Sequence, residues 1–170
     1  MFRRQRLIAI VLVMLLSPGS LVSAQWNEGI VVRGHWVIDV KNADGTLASR
    51  SEFHNPLRPN GQRTIAKALS GGPSVAAWMI ELYITGSDTL FPPTTSTRAD
   101  TSVVLTGSIR PTDAESINQV FTHSCGVASC ADAADFFSTG AGPISFAANQ
   151  TIDVTVTFSF AAAAHAGGPQ

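Results

Sequence analysis

Apolar and polar residues alternate along much of this chain, and the alternation places most of its strands. Trp36, Ile38 and Val40 fall on one side of an extended segment and Val37, Asp39 and Lys41 on the other, the pattern of a half-buried strand. Asn42-Ala43-Asp44-Gly45 follows. Asp-Gly tolerates the positive φ of a tight turn, so a second strand is predicted over about Thr46 to Phe53, making a hairpin. Trp78, Ile80, Leu82 and Ile84 alternate with Met79, Glu81, Tyr83 and Thr85. The last strand is the most regular: Ile152, Val154, Val156, Phe158 and Phe160 share one face, and Thr151, Asp153, Thr155, Thr157 and Ser159 the other. Alternation that strict puts one face on a core and the other in water.

Between these segments the pattern is weaker. Val103, Leu105 and Ile109 predict a further strand, with Gly107 as a bulge or a point of close approach. Ile117 to Thr122 reads as the next, and Phe136-Phe137 and Ile144 to Phe146 as two short strands around Gly140-Ala141-Gly142-Pro143. Pro56 and Pro59 interrupt strand structure. Asn60 is placed to cap a short helix over Gly61 to Ser70, with Ile65, Ala68 and Leu69 on one face and Gly71-Gly72 as its stop. Gly86 to Thr101, centred on Pro92-Pro93-Thr94-Thr95, reads as a loop, and a loop that long is more often a functional segment than a connector. About seven or eight short strands and one short helix predict an all-β fold, an antiparallel β-sandwich of Ig-like or jelly-roll-like type, or an open barrel.

The first 24 residues stand outside this pattern. Arg3, Arg4 and Arg6 precede an apolar run from Leu7 to Leu16, and Val22-Ser23-Ala24 supplies small residues for cleavage before Gln25, the organisation of a secretion signal. The run is about half of what a membrane-spanning helix requires. This reading divides the chain into a signal at 1–24, a β-sandwich domain over 25–160 and a flexible tail at 161–170, and makes the mature protein secreted, periplasmic or surface-exposed. With three arginines removed from 11 basic residues, 8 remain against 12 acidic, a net charge of about −4. That balance argues against a nucleic-acid or anionic-lipid partner. Cys125 and Cys130 are expected to form one disulfide in an oxidising compartment. Closing so short a loop contributes about 2–3 kcal/mol. The competing reading, a metal held by His123, Cys125 and Cys130, lacks a fourth ligand and a zinc-like spacing; neither metal nor cofactor is expected.

One family resemblance runs through the same segments. Glu52-Phe53-His54-Asn55-x-Leu57, then Gly61, a helix ending at Gly71, and Trp78-x-Ile80-x-Leu82-Tyr83-Ile84-x-Gly86 follow one another in an order that resembles the opening of phage tail-type structural domains. In those, such a helix precedes a strand ending in Gly and a Thr-rich loop. Gly142-Pro143-Ile144-Ser145-Phe146 and Gln150-Thr151-Ile152-Asp153-Val154-Thr155-Val156 are similar to their final strand pair. The resemblance covers most of the mature chain in outline and departs from the family in carrying a secretion signal. It implies a β-sandwich that assembles or adheres, and carries over no catalytic residue.

Chemistry-bearing residues are scattered. His54, Asp39 and Ser51 are the residue types of a nucleophilic triad, but no Gly-x-Ser-x-Gly elbow is present. Glu52 and Glu81 satisfy a glycosidase's need for two facing carboxyls only if their strands are neighbours. His35 falls opposite Trp36, and His165 lies in the tail. Asp132 and Asp135 lack the alternating oxygen ligands of a calcium loop. Trp26, Trp36 and Trp78 raise sugar stacking, although Trp36 and Trp78 share the parity of core aliphatics. Asn149-Gln150-Thr151 is a glycosylation sequon. The expected function is therefore a non-catalytic structural or interaction protein, self-assembling or adhesive, whose partner is itself or another exported protein. A carbohydrate-binding module with a sugar ligand is the alternative, and a small secreted hydrolase the lesser one. Because loops carry binding residues over a rigid scaffold, the expected contacts are Pro92, Pro93, Thr94 and Thr95 in the long loop and Val127 in the disulfide loop.

Overall fold

The computed structural model describes residues 29–85, 89–127, 130 and 136–162. In chain order the elements are β1 (Ile30–Lys41), β2 (Leu47–Pro56), α1 (Pro59–Leu69), β3 (Ala77–Ile84), β4 (Thr89–Leu90), β5 (Thr94–Ala99), β6 (Ser102–Ile109), β7 (Glu115–Cys125), β8 (Phe136–Phe146) and β9 (Thr151–Ala162). They make two antiparallel sheets, one of five strands in the order β2-β1-β9-β6-β5 and one of four in the order β4-β3-β7-β8. The proposed signal, Trp26, Asp132, Asp135 and His165 lie outside the described residues. So does the end of the expected tail; Ala161 and Ala162 extend β9 instead. Among the described residues no helix is long and apolar enough to cross a membrane.

The period-two faces meet between the sheets. Trp36, Ile38 and Val40 stand opposite Val156, Val154 and Ile152 in the central β1–β9 pairing, and all six are at most 1% exposed. Leu105 joins them from β6, and Ile80, Leu82, Ile84, Ile117, Val120, Phe137, Ile144 and Phe146 face them from the other sheet. The β1–β2 hairpin turns where Asp-Gly predicts, with Gly45 at φ 84° and its N–H donating to the Asn42 carbonyl at 2.9 Å.

Four expectations are corrected. The helix starts earlier, with Arg58 at the N-cap and Pro59 in the first turn. Proline's fixed φ and missing N–H suit that position. Asn60 therefore lies inside the helix, where its Oδ1 accepts from Arg63 Nη1 at 3.0 Å. Only Ile65 of the expected apolar face packs on the core; Leu69 is 71% exposed, because α1 lies along the β8 edge of the sandwich. The two strands expected around Gly140 are one, β8, which stays paired to β7 across a register shift between Ile117 and Gln119. The segment read as a loop contains β4 and β5.

That last segment turns a corner between layers. The chain leaves the four-stranded sheet at Leu90 and enters the five-stranded sheet at Thr94, with Pro92 buried in the bend. Gly107 is a close approach and not a bulge: its strand pairs regularly on both sides, and an added Cβ would sit 3.2 Å from Pro92. On the opposite side the sandwich closes through Asn55, whose Nδ2 donates to the Thr139 carbonyl of β8 while its Oδ1 accepts from Trp36 Nε1 at 3.2 Å.

Candidate interaction surface

Registration of the five-stranded sheet lines up its solvent face in rows. Arg50, Asp39, Asp153 and Ser108 form the first. Arg50 donates twice to Asp39, Nε to Oδ1 at 2.6 Å and Nη2 to Oδ2 at 2.7 Å. Lys41 Nζ lies 2.7 Å from Asp153 Oδ2, and Ser108 Oγ donates to Asp153 Oδ1 at 2.6 Å. Two carboxylates directly across a strand pair would repel; here each has its own cation. The Arg50 hydrogen bonds hold Asp39 below the usual carboxylate range. Burial opposes ionisation of Asp153, but the bonds from Lys41 and Ser108 outweigh it and hold that group low as well.

The next rows are hydroxyl-rich. Thr155, Thr106 and Thr95 stand side by side on β9, β6 and β5, with Thr106 and Thr95 sharing a hydrogen bond at 2.8 Å between their Oγ1 atoms. Thr157, Val104 and Thr97 follow. Thr95 to Ala99 are exposed, and β5 is an outermost strand. The other sheet edges are shorter or covered among the described residues. β4 has two residues, β8 carries α1 and Asn55 against it, and the end of β2 is turned onto β8. The half of β2 near the hairpin is exposed over an unbroken run of only four strand residues, Leu47 to Arg50.

The expected contact residues divide between two roles. Pro93 and Thr95 are exposed. Pro92 is buried, and Thr94 is a fastener: its Oγ1 accepts from the Ile80 N–H at 3.1 Å and donates to the Pro92 carbonyl at 2.9 Å. Pro92 and Thr94 thus hold the corner together. Val127 is 45% exposed beside the disulfide, which joins Cys125 and Cys130 with a Cα separation of 4.9 Å. Cysteines consumed in that bond supply no thiolates, so the His123–Cys125–Cys130 metal reading fails on this geometry.

The catalytic candidates do not converge. Asp39 is paired with Arg50, Ser51 stands opposite core-facing Ile38, and His54 stacks on His35 with ring centroids 4.6 Å apart. His35 Nε2 lies 2.8 Å from Glu52 Oε1. Glu52 and Glu81 belong to different sheets and face away from each other across the core. Trp36 is fully buried and hydrogen-bonded, and Trp78 is half-buried against Phe137 and Phe158, so neither offers a free sugar-stacking plane. Sequence reasoning missed the partnership of Glu81 with His123, whose Oε2 and Nε2 approach to 2.5 Å on the outer face of the four-stranded sheet. It links β3 to β7, and only the register of those strands reveals it. Compared with protein-family models, curated proteins and solved structures, the chain matches none.

Proposed function

We propose that the mature protein is an exported, non-catalytic interaction protein that associates with further copies of itself through the β5 edge. One observation carries this reading. β5 is a six-residue edge strand with an exposed Thr-Ser-Thr-Arg-Ala segment, no proline within it and a single charge, Arg98. An edge of that kind presents unpaired backbone donors and acceptors, which a strand from another chain can complete. The arginine-led apolar leader and the disulfide support export. The resemblance to phage tail-type domains supports assembly as the use of the sandwich.

Sedimentation of the mature chain over a range of concentrations tests the proposal. Self-association is expected in the wild type. Ser96→Lys, which sets a charge on the inward side of the edge, is expected to leave monomers with an unchanged melting temperature. A wild-type protein that stays monomeric at every concentration, or a Ser96→Lys variant that assembles normally, overturns it.

A further inference from the structure

A cleft of about 420 Å³ opens at one end of the sandwich, between the paired strands β3 and β4 and the connection from β6 to β7. That volume suits a small organic ligand. Ile84 and Phe146, both nearly buried, lie at its base, and Leu90 and Ile109 at its sides. Glu115 enters this apolar setting. It pairs with Phe146 and stands two residues before the fully buried Ile117, so the strand pleat gives it a core-facing position. Its Oε2 is shielded from solvent and has no hydrogen-bond partner among the described residues. Folded proteins rarely keep a buried acceptor unpaired, since it loses water without compensation. A leucine there would continue the strand pattern at no such cost, so the carboxyl calls for a donor beyond those residues.

The charges around the cleft say which kind. Its lining holds two carboxyls, Glu115 and Asp113, and one cation, Arg110, whose Nε already donates to the Asn149 carbonyl at 2.8 Å. Among the described residues Asp113 Oδ2 accepts only a hydroxyl, that of its neighbour Thr112 at 3.1 Å. We propose that this cleft binds a small organic cation, a primary ammonium group on an apolar body. The ammonium donates to Glu115, and the body rests on Ile84, Leu90, Ile109 and Phe146. The site is separate from the β5 edge and does not depend on assembly.

Three probes sharing one ring separate the contributions: benzylamine, benzyl alcohol and benzoate, each titrated into the mature protein and followed by amide chemical shifts. Benzylamine is expected to move resonances of Ile84, Leu90, Ile109 and Glu115, and to bind at least tenfold more tightly than the other two. Glu115→Gln is expected to weaken benzylamine at least tenfold while preserving the dispersed spectrum. Equal binding of benzyl alcohol would mean an apolar cleft without charge selection, and tighter binding of benzoate would make Arg110 the anchor; either result overturns the proposal. So does an unchanged affinity in Glu115→Gln. If that variant fails to fold, the wild-type comparison of the three probes still decides.

Discussion

Asn55 is the residue on which the most structure converges. Its amide satisfies the buried Trp36 indole and reaches the Thr139 carbonyl, joining β1, β2 and β8. Asn55→Ala strands the indole N–H in the core and removes the seam bond, so a loss of about 2–3 kcal/mol is expected in urea unfolding. The paired aspartates make a second residue-scale prediction. Asp39 and Asp153 are held below the usual carboxylate range. Groups so depressed add stability above about pH 4 and lose it as the pH falls through their folded-state values. The urea midpoint is expected to hold from pH 7 to about pH 5 and to drop below about pH 4. Asp39→Asn should be less stable than wild type at pH 7, and its acid decline shallower. At this scale the sequence shows parity well and partnership poorly. The neighbours Ile38 and Val40 place Trp36 in the core, but nothing local to Asn55 announces a bond to a residue so distant in the chain.

The strands that alternation reveals are those with one face on the core, β1, β3 and β9. β5 escapes because it is an edge: its Thr-Thr-Ser-Thr-Arg-Ala composition buries almost nothing and has no apolar period to read. By composition Gly140, Gly142 and Pro143 are breakers that predict two strands, whereas continued pairing with β7 carries β8 through them as one. The helix starts two residues before the position the sequence predicts, because a favourable capping side chain, Asn60, competes there with a favourable first-turn proline, Pro59. The corner between β4 and β5 gives the test at this scale. Thr94→Val keeps the shape but leaves the Ile80 N–H without its acceptor, and is expected to cost about 1–3 kcal/mol in chemical denaturation. Thr95→Val, one residue along on the solvent face, is expected to stay within about 0.5 kcal/mol of wild type.

In the whole molecule, the two sheets are held by a broad apolar core and fastened on both flanks, by Asn55 on one and by Pro92 and Thr94 on the other. The disulfide spans only five positions of sequence at the end of β7. Its chain-entropy contribution is about 2 kcal/mol, and of the described sheet pairs only the terminal one, Ala77 with Cys125, involves a bridged cysteine. Reduction should therefore lower stability by about that amount and leave the far-ultraviolet circular dichroism of the native sandwich unchanged. The cleft was not legible in the sequence. Glu115 lies just beyond the segment read as a strand, and its core-facing parity emerges only once β7 is seen to begin there.

The position of β9 has a consequence in time. β9 lies between β1 and β6, so the sheet that holds most of the core has a gap at its centre until residues 151–162 are available. A growing chain carrying β1 and β6 has no means of joining them, and pairings of such long sequence separation are slow to form. Closure of the five-stranded sheet thus waits on β9, whatever the order in which the earlier strands collapse.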